Sequence, residues 1–161
     1  MIAYPVGRSG QMLVFTDPFV ETFAKNRQLR FWQGEAGGQS FGRFHGARIK
    51  VVEATGPRRT DRRTRRSYIP DRRAEQREID DRFDRGLHFV GDWHTHPETT
   101  PRPSWPDIVS LDDTVRKSAH AMLALVLSSL ASNQGPKAFM CLSFAATALP
   151  ANCSQPKRID A

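Results

Sequence analysis

The sequence predicts a single α/β domain, a mixed sheet flanked by helices, and three observations carry that prediction. The chain has 161 residues, the usual size of one globular domain. Runs with strand character alternate with runs of helical spacing along most of its length. Two pairs of the strand-like runs are hairpin-like, which puts antiparallel neighbours into the alternating order. The hydrophobic fraction of 39% is low for a globular chain because an arginine-rich middle dilutes it, and the remainder can still bury a core.

Taken in order, QMLVFT at 11–16 reads as a first strand. Asp17-Pro18 reads as an N-cap followed by proline at the first helical position, with Phe19, Val20, Phe23 and Ala24 at helical spacing behind it. GEAGGQSFGRFHG at 34–46 is glycine-rich, and ARIKVVEATGP is an alternating strand closed by Gly56-Pro57. Arg58, Arg59, Arg62, Arg63, Arg65, Arg66, Arg72 and Arg73 then fall within sixteen residues. Such a block repels itself, so the segment 57–73 is expected to be a mobile, solvated loop. DRRAEQREIDDRFDRG at 71–86 reads as a charged helix with Ile79 and Phe83 as its buried stripe and Gly86 as its stop. LHFVGDWHTH is a strand, apolar at its start and polar at its end. PSWPDIVSLDDTVRKSAHA opens a further helix, and AMLALVLSSL (121–130) and KAFMCLSFAA are strands joined by the turn SNQGP. The polar stretch from Leu149 reads as a fraying tail, so the domain is expected over 1–150 and a flexible tail over 151–161. No internal repeat is visible.

Composition narrows the function. The opening MIAYPVGRSG lacks the pattern of a secretory leader, and the most apolar window is too short to span a bilayer. Cys141 and Cys153 are the only cysteines, and Cys141 lies in an apolar run. A disulfide framework is therefore not expected, and a reducing cytoplasm fits. The net charge of +7 is concentrated in the arginine segment; the plain reading is a solvated surface, and the functional reading is a contact surface for an acidic partner, protein or nucleic acid. With Tyr68 as its one aromatic, the segment is no base-stacking platform, so neither nucleic acid nor membrane is the expected partner.

The chemistry concentrates in GDWHTHPETTPRPSWPD at 91–107. Side chains two apart on a strand share a face, so His94 and His96 can address one ion. Imidazole suits zinc, whose catalytic sites take three protein ligands and a water, and Asp107 is the nearest candidate third ligand. Ser104-Trp-Pro-Asp107 also has the form of a helix N-terminus, with Ser104 as N-cap and a carboxylate in the first turn. Separately, an HxH pair and a Ser-x-x-Asp cap are more often incidental than functional. Together they meet several constraints in one stretch.

That spacing, H-x-H-x7-S-x2-D, resembles the signature of the JAMM (MPN+ or JAB) zinc metalloproteases. Glu35-Ala-Gly-Gly-Gln-Ser-Phe-Gly is similar to the family's upstream glutamate element, and the order of elements is similar from about residue 12 to 146. The resemblance implies an MPN fold: one mostly antiparallel sheet flanked by helices in a three-layer, cytidine-deaminase-like arrangement. It implies that His94, His96 and Asp107 hold Zn²⁺, that Glu35 is the general base and proton shuttle, and that Ser104 donates to the oxyanion. Glu53 and Glu98 lack the glycine-flanked setting of Glu35.

GDWHTHPE with its proline-rich spacing resembles a bacterial branch found in antiphage (CBASS-type) and mobile-element operons. Those enzymes are deubiquitinase-like isopeptidases, often encoded beside an E1–E2-like fusion protein. For this chain the implied partner is the C-terminal tail of a CD-NTase-like (cGAS-like nucleotidyltransferase) modifier or of a ubiquitin-like protein. Arg62, Arg63, Arg65, Arg66 and Trp93 are the candidate substrate-binding residues. Processing of a sulfur-carrier protein, a non-catalytic MPN scaffold and a nucleic-acid-associated role are the competing readings.

Overall fold

The computed structural model describes residues 1–6, 9–26, 28, 30, 32–96, 104–117, 122–128, 138–144, 152–154 and 157–158. Among them run eleven strands and three helices. The strands are β1 (Ile2–Pro5), β2 (Met12–Phe15), β3 (Gly37–His45), β4 (Arg48–Ala54), β5 (Arg62–Thr64), β6 (Ser67–Ile69), β7 (His88–Thr95), β8 (Met122–Ser128), β9 (Ala138–Phe144), β10 (Asn152–Ser154) and β11 (Lys157–Arg158). The helices are α1 (Asp17–Lys25), α2 (Arg72–Asp84) and α3 (Trp105–Lys117). The segments 97–103 and 129–137, which hold Glu98, the proline-rich link and the expected turn SNQGP, lie outside the described residues.

Nine strands form one sheet in the order β10-β9-β8-β7-β3-β4-β2-β1-β11, and β5 with β6 forms a separate hairpin. The pairs β2–β4 and β7–β8 are parallel and the others antiparallel, so the sheet is mixed and mostly antiparallel, as expected. α1 packs on β4, α2 on β7 and α3 on β8 and β9. β1 is too short and irregular to be read from the sequence, yet Ala3 and Tyr4 are fully buried. β10 and β11 occupy the stretch expected to fray, on opposite edges of the sheet.

The core is an aromatic relay. Tyr4, Phe15, Phe19, Phe23 and Trp93 touch in succession with ring centroids 5.5, 4.9, 4.7 and 5.0 Å apart. Each such pair adds roughly 0.5–1.5 kcal/mol beyond area burial. The relay fixes α1 to β7, the strand that carries the two histidines. Two bulges decide which face each neighbour takes. At the first, Val52 is the extra residue of β4, so Val51 faces the relay while Glu53 turns to α2. At the second, Val90 is the extra residue of β7, so Val90 and Trp93 both reach the core despite their odd spacing.

Three sequence expectations change. The helix start lies one residue early: Thr16 is the N-cap and Asp17 is the first helical residue. Thr16 Oγ1 donates to Val51 O at 3.1 Å instead of capping, and Asp17 takes the N-terminal ammonium at 2.9 Å. Gly86 does end α2, with φ +73°, and Leu87 N donates to Arg82 O at 2.8 Å as in a Schellman motif. The expected stripe of α2 does not hold, because Phe83 is 64% exposed and Glu75 is the buried residue. α2 docks through charge: Arg82 reaches Glu53 at 2.7 Å, and Arg58 reaches Glu78 and, at 3.8 Å, Glu75.

The arginine segment is no free loop. The Arg58 side chain is only 9% exposed and donates to Glu78, to Gln39 Oε1 at 3.4 Å and to Thr55 Oγ1 at 3.3 Å. Asp61 accepts from Arg58 N at 2.6 Å, from Tyr68 Oη at 2.9 Å and from Asp71 N at 2.9 Å. Carboxylates from the segment itself and from α2 thus relieve the repulsion that its composition suggests.

Candidate metal centre

His94 and His96 lie at the end of β7 and just beyond it, two residues apart and turned to the same side, as strand alternation requires. Asp107 comes from the first turn of α3. The three side chains converge. Asp107 Oδ1 is 3.3 Å from His94 Nε2, Asp107 Oδ2 is 3.3 Å from His96 Nε2, and the two Nε2 atoms are 2.8 Å apart. Tetrahedral ligands at zinc-like bond lengths of about 2.0–2.1 Å lie about 3.3 Å from one another; both nitrogen–oxygen separations match that spacing, while the two Nε2 atoms stand closer, at hydrogen-bond distance. Two imidazoles and a carboxylate are also the donor chemistry of such an ion. Among the described residues this is the one such group of three His, Cys, Asp or Glu ligands.

Local sequence explains the placement. Ser104 caps α3: Asp107 N donates to Ser104 Oγ at 3.4 Å, and Ser104 N donates to Asp107 Oδ2 at 2.7 Å. The Ser104 hydroxyl also donates to Asp107 Oδ2 at 2.6 Å. This reciprocal box fixes the Asp107 rotamer. Burial works to raise the Asp107 carboxyl, but hydrogen bonds from His94, His96 and Ser104 outweigh it and hold the group well below the usual carboxylate range.

Glu35 is 6% exposed and precedes β3. Gly37 is the register partner of His94, while Thr95 N donates to Ala36 O at 2.7 Å and Ala36 N donates to Thr95 Oγ1 at 2.9 Å. This clamp brings Glu35 to the level of His96. Glu35 N donates to Thr64 O at 2.8 Å, which ties the same loop to β5. The glycines after Glu35 are steric necessities: a Cβ on Gly37 would sit 2.5 Å from the Tyr68 ring, and one on Gly38 would overlap Thr55 O. Glu35, His94, His96, Ser104 and Asp107 all border one cavity of about 820 Å³.

The candidate substrate residues divide. Arg65 and Arg66, in the turn between β5 and β6, border the cavity; Arg62 and Arg63 are exposed on β5 and do not. Trp93 also lines the cavity, yet it is 1% exposed, its ring packs on Phe23, and Nε1 donates to Thr55 O at 3.0 Å. Alternation along β7 sends Trp93 into the core because His94 faces the metal group.

Sequence reasoning missed Thr95, Tyr68, Glu75 and Asp92. Asp92 was within reach, since it lies two residues before His94 on the same strand. It is partly exposed overall, yet its Oδ1 is sealed from solvent and has no hydrogen-bond partner. Burial, with the Glu75 charge adding, pushes its carboxyl up to about 7.

Residues 21–142 match the profile described as prokaryotic homologs of the JAB domain. The chain is 32% identical over 87 residues to the CD-NTase/cGAS isopeptidase of Escherichia coli (strain TW11681), covering 52% of this chain and 56% of that protein. A counterpart of the same name in Pseudomonas aeruginosa is 33% identical over 101 residues, with 60% and 63% covered. A probable metalloprotease of Sinorhizobium fredii is 32% identical over 111 residues, 66% of this chain and 67% of that one. The chain thus spans just over half the length of the E. coli relative. A Desulfitobacterium hafniense protein solved in solution superposes with a TM-score of 0.64 at 24% identity, over 89% of this chain and 90% of that one, and shares the fold. No helix among the described residues is long and apolar enough to cross a membrane.

Proposed function

The chain belongs to the prokaryotic JAB family, and from that premise we propose that it is a zinc-dependent isopeptidase that removes a CD-NTase-like modifier from its targets. The observation that carries this reading is the convergence of His94, His96 and Asp107 with 3.3 Å nitrogen–oxygen separations, in one cavity with Glu35. The relatives named CD-NTase/cGAS isopeptidase supply the substrate class. On this reading the enzyme works in the cytoplasm, in antiviral defence, and reverses the product of an E1–E2-like conjugating enzyme.

Zinc held by the three ligands would lower the pKa of a water toward neutrality and polarise the scissile carbonyl. Glu35 would take the proton from the attacking water and deliver it to the leaving amine, which is otherwise a poor leaving group. Ser104 would turn its hydroxyl from Asp107 to the developing oxyanion, while its backbone N–H keeps hold of the carboxylate. Arg65 and Arg66 would meet the partner at the cavity lip.

The test uses a fusion in which the C-terminal tail of a CD-NTase-like protein is joined to a reporter through an amide bond. The wild type is expected to cut at the end of the tail and to stop on adding chelator. Glu35→Gln is expected to keep its zinc and lose roughly 10²–10⁴-fold in rate, the usual contribution of a general base. Undiminished cleavage by Glu35→Gln would overturn the assignment of the base, and zinc-free wild type would overturn the reading as a whole.

A further inference from the structure

Gln28 follows α1, the helix whose Phe23 packs on Trp93 of β7. It is 2% exposed, and Thr95 is fully buried. A buried amide needs partners at both its ends, and this one has them. Gln28 Nε2 donates to Gln33 O and to Arg65 O, both at 3.1 Å, and Gln28 Oε1 accepts from Thr95 Oγ1 at 3.4 Å. Two carbonyls can only accept, so the nitrogen must face them and the oxygen is left for the hydroxyl. Thr95 Oγ1 in turn accepts from Ala36 N at 2.9 Å, which leaves its own proton for Gln28. One side chain therefore joins three segments: the turn between β5 and β6, the loop that carries Glu35, and the strand that carries the two histidines.

We propose that Gln28 is a positioning residue for Glu35, acting through Thr95. This rests on the peptidase reading for what Glu35 does, and adds what holds it in place. Thr95 stands between His94 and His96, and alternation along β7 turns it to the opposite face, the one that Trp93 takes. The strand thus presents the metal group on one face and the clamp of the Glu35 loop on the other. The loop is pinned on both sides of Glu35, at Gln33 O by Gln28 and at Ala36 N and O by Thr95. A group that takes a proton from an attacking water tolerates little error, and a displacement of about 1 Å costs roughly 10²-fold in rate. Without Gln28 the carbonyls of Gln33 and Arg65 lose a donor, and the Thr95 hydroxyl loses the acceptor that orients it. The Glu35 loop can then shift against the histidines while the histidines stay where β7 puts them.

The test compares Gln28→Met, Thr95→Val and Thr95→Ser, zinc-loaded and with zinc content measured, on the fusion that carries a CD-NTase-like tail. Gln28→Met and Thr95→Val keep the bulk of the side chain and remove its polar atoms. Both are expected to lose roughly 10–10²-fold in kcat with KM changed by less than about twofold, and Thr95→Ser to recover most of that loss. Added to Glu35→Gln, Thr95→Val is expected to cost less than about threefold, since a base that is absent cannot be misplaced. A further readout needs neither zinc nor turnover. In the metal-free protein, Gln28→Met is expected to speed hydrogen exchange at the Glu35 and Ala36 amides by about tenfold or more. Unchanged exchange and kcat in a folded Gln28→Met overturn the proposal, as does an equal loss from Thr95→Val with and without Glu35. Should Gln28→Met not fold, full kcat at full zinc content in Thr95→Val overturns it alone. A wild type that cuts no amide bond, beside faster exchange in Gln28→Met, would refute the peptidase reading and leave the placement of Glu35 by Gln28 standing.

Discussion

Asp107 serves the helix and the metal with one carboxylate. Its Oδ2 accepts from Ser104 N and Oγ at 2.7 and 2.6 Å and stands 3.3 Å from His96 Nε2. Ser104→Ala is therefore expected to act twice. Loss of the cap should cost about 1 kcal/mol in thermal or urea unfolding. Loss of the oxyanion donor should lower turnover roughly 10²–10³-fold at unchanged zinc content. A loss of stability with full turnover would reduce Ser104 to a cap.

Asp92 makes a prediction about stability. Its folded carboxyl titrates near 7, above the ordinary 3.8, so it contributes stability that is fully present below about 3.8 and lost as pH rises through about 7. Asp92→Asn, which cannot ionise, should gain on the wild type by on the order of 1–3 kcal/mol between about pH 5 and pH 8 in unfolding experiments. A constant difference across that range would contradict a buried, raised carboxyl. At this scale the sequence was partly legible. His94, His96, Ser104 and Asp107 lie within one stretch, where strand alternation and cap spacing speak directly. Glu35 needed the resemblance, because only β3–β7 pairing brings it near. Asp92 stayed hidden because its missing partner depends on what α2 carries to it.

At the scale of elements, the arginine segment and α2 were misread for one reason. Charge runs read as solvated when their counter-ions are distant in sequence. Arg58 is neutralised by Asp61, Glu75 and Glu78, and Glu75, not Phe83, is what α2 buries. Removing one member of such a network strands the others. Arg58→Met should cost roughly 3–5 kcal/mol in chemical unfolding. Because Asp61 also anchors Tyr68, against which Gly37 packs, zinc affinity should fall with it. A variant as stable as the wild type would show the network to be dispensable. β7, α3 and the helix stop at Gly86 were legible because alternation, a Ser-x-x-Asp start and a glycine stop are local signals.

At the scale of the molecule, the sheet order brings the site together. Pairing β3 with β7 places the Glu35 loop beside the histidines, and the aromatic relay from Tyr4 to Trp93 holds the opposite face of β7. The alternation of elements announced the fold class, but strand order and the two bulges are non-local and could not be read from it. Arg65 and Arg66 at the cavity and Arg62 and Arg63 on the exposed strand imply a division of labour. Replacing all four with serine should weaken cleavage of a full-length conjugate more than that of a short tail peptide, and equal effects would exclude a partner surface there. The central claim is that His94, His96 and Asp107 hold a single zinc ion, and X-ray absorption at the zinc edge tests it most directly. The expected spectrum is one zinc per chain with two imidazoles and oxygen neighbours at about 2.0–2.1 Å, lost in His96→Ala. Sulfur in the coordination shell, or zinc retained unchanged by His96→Ala, would contradict it.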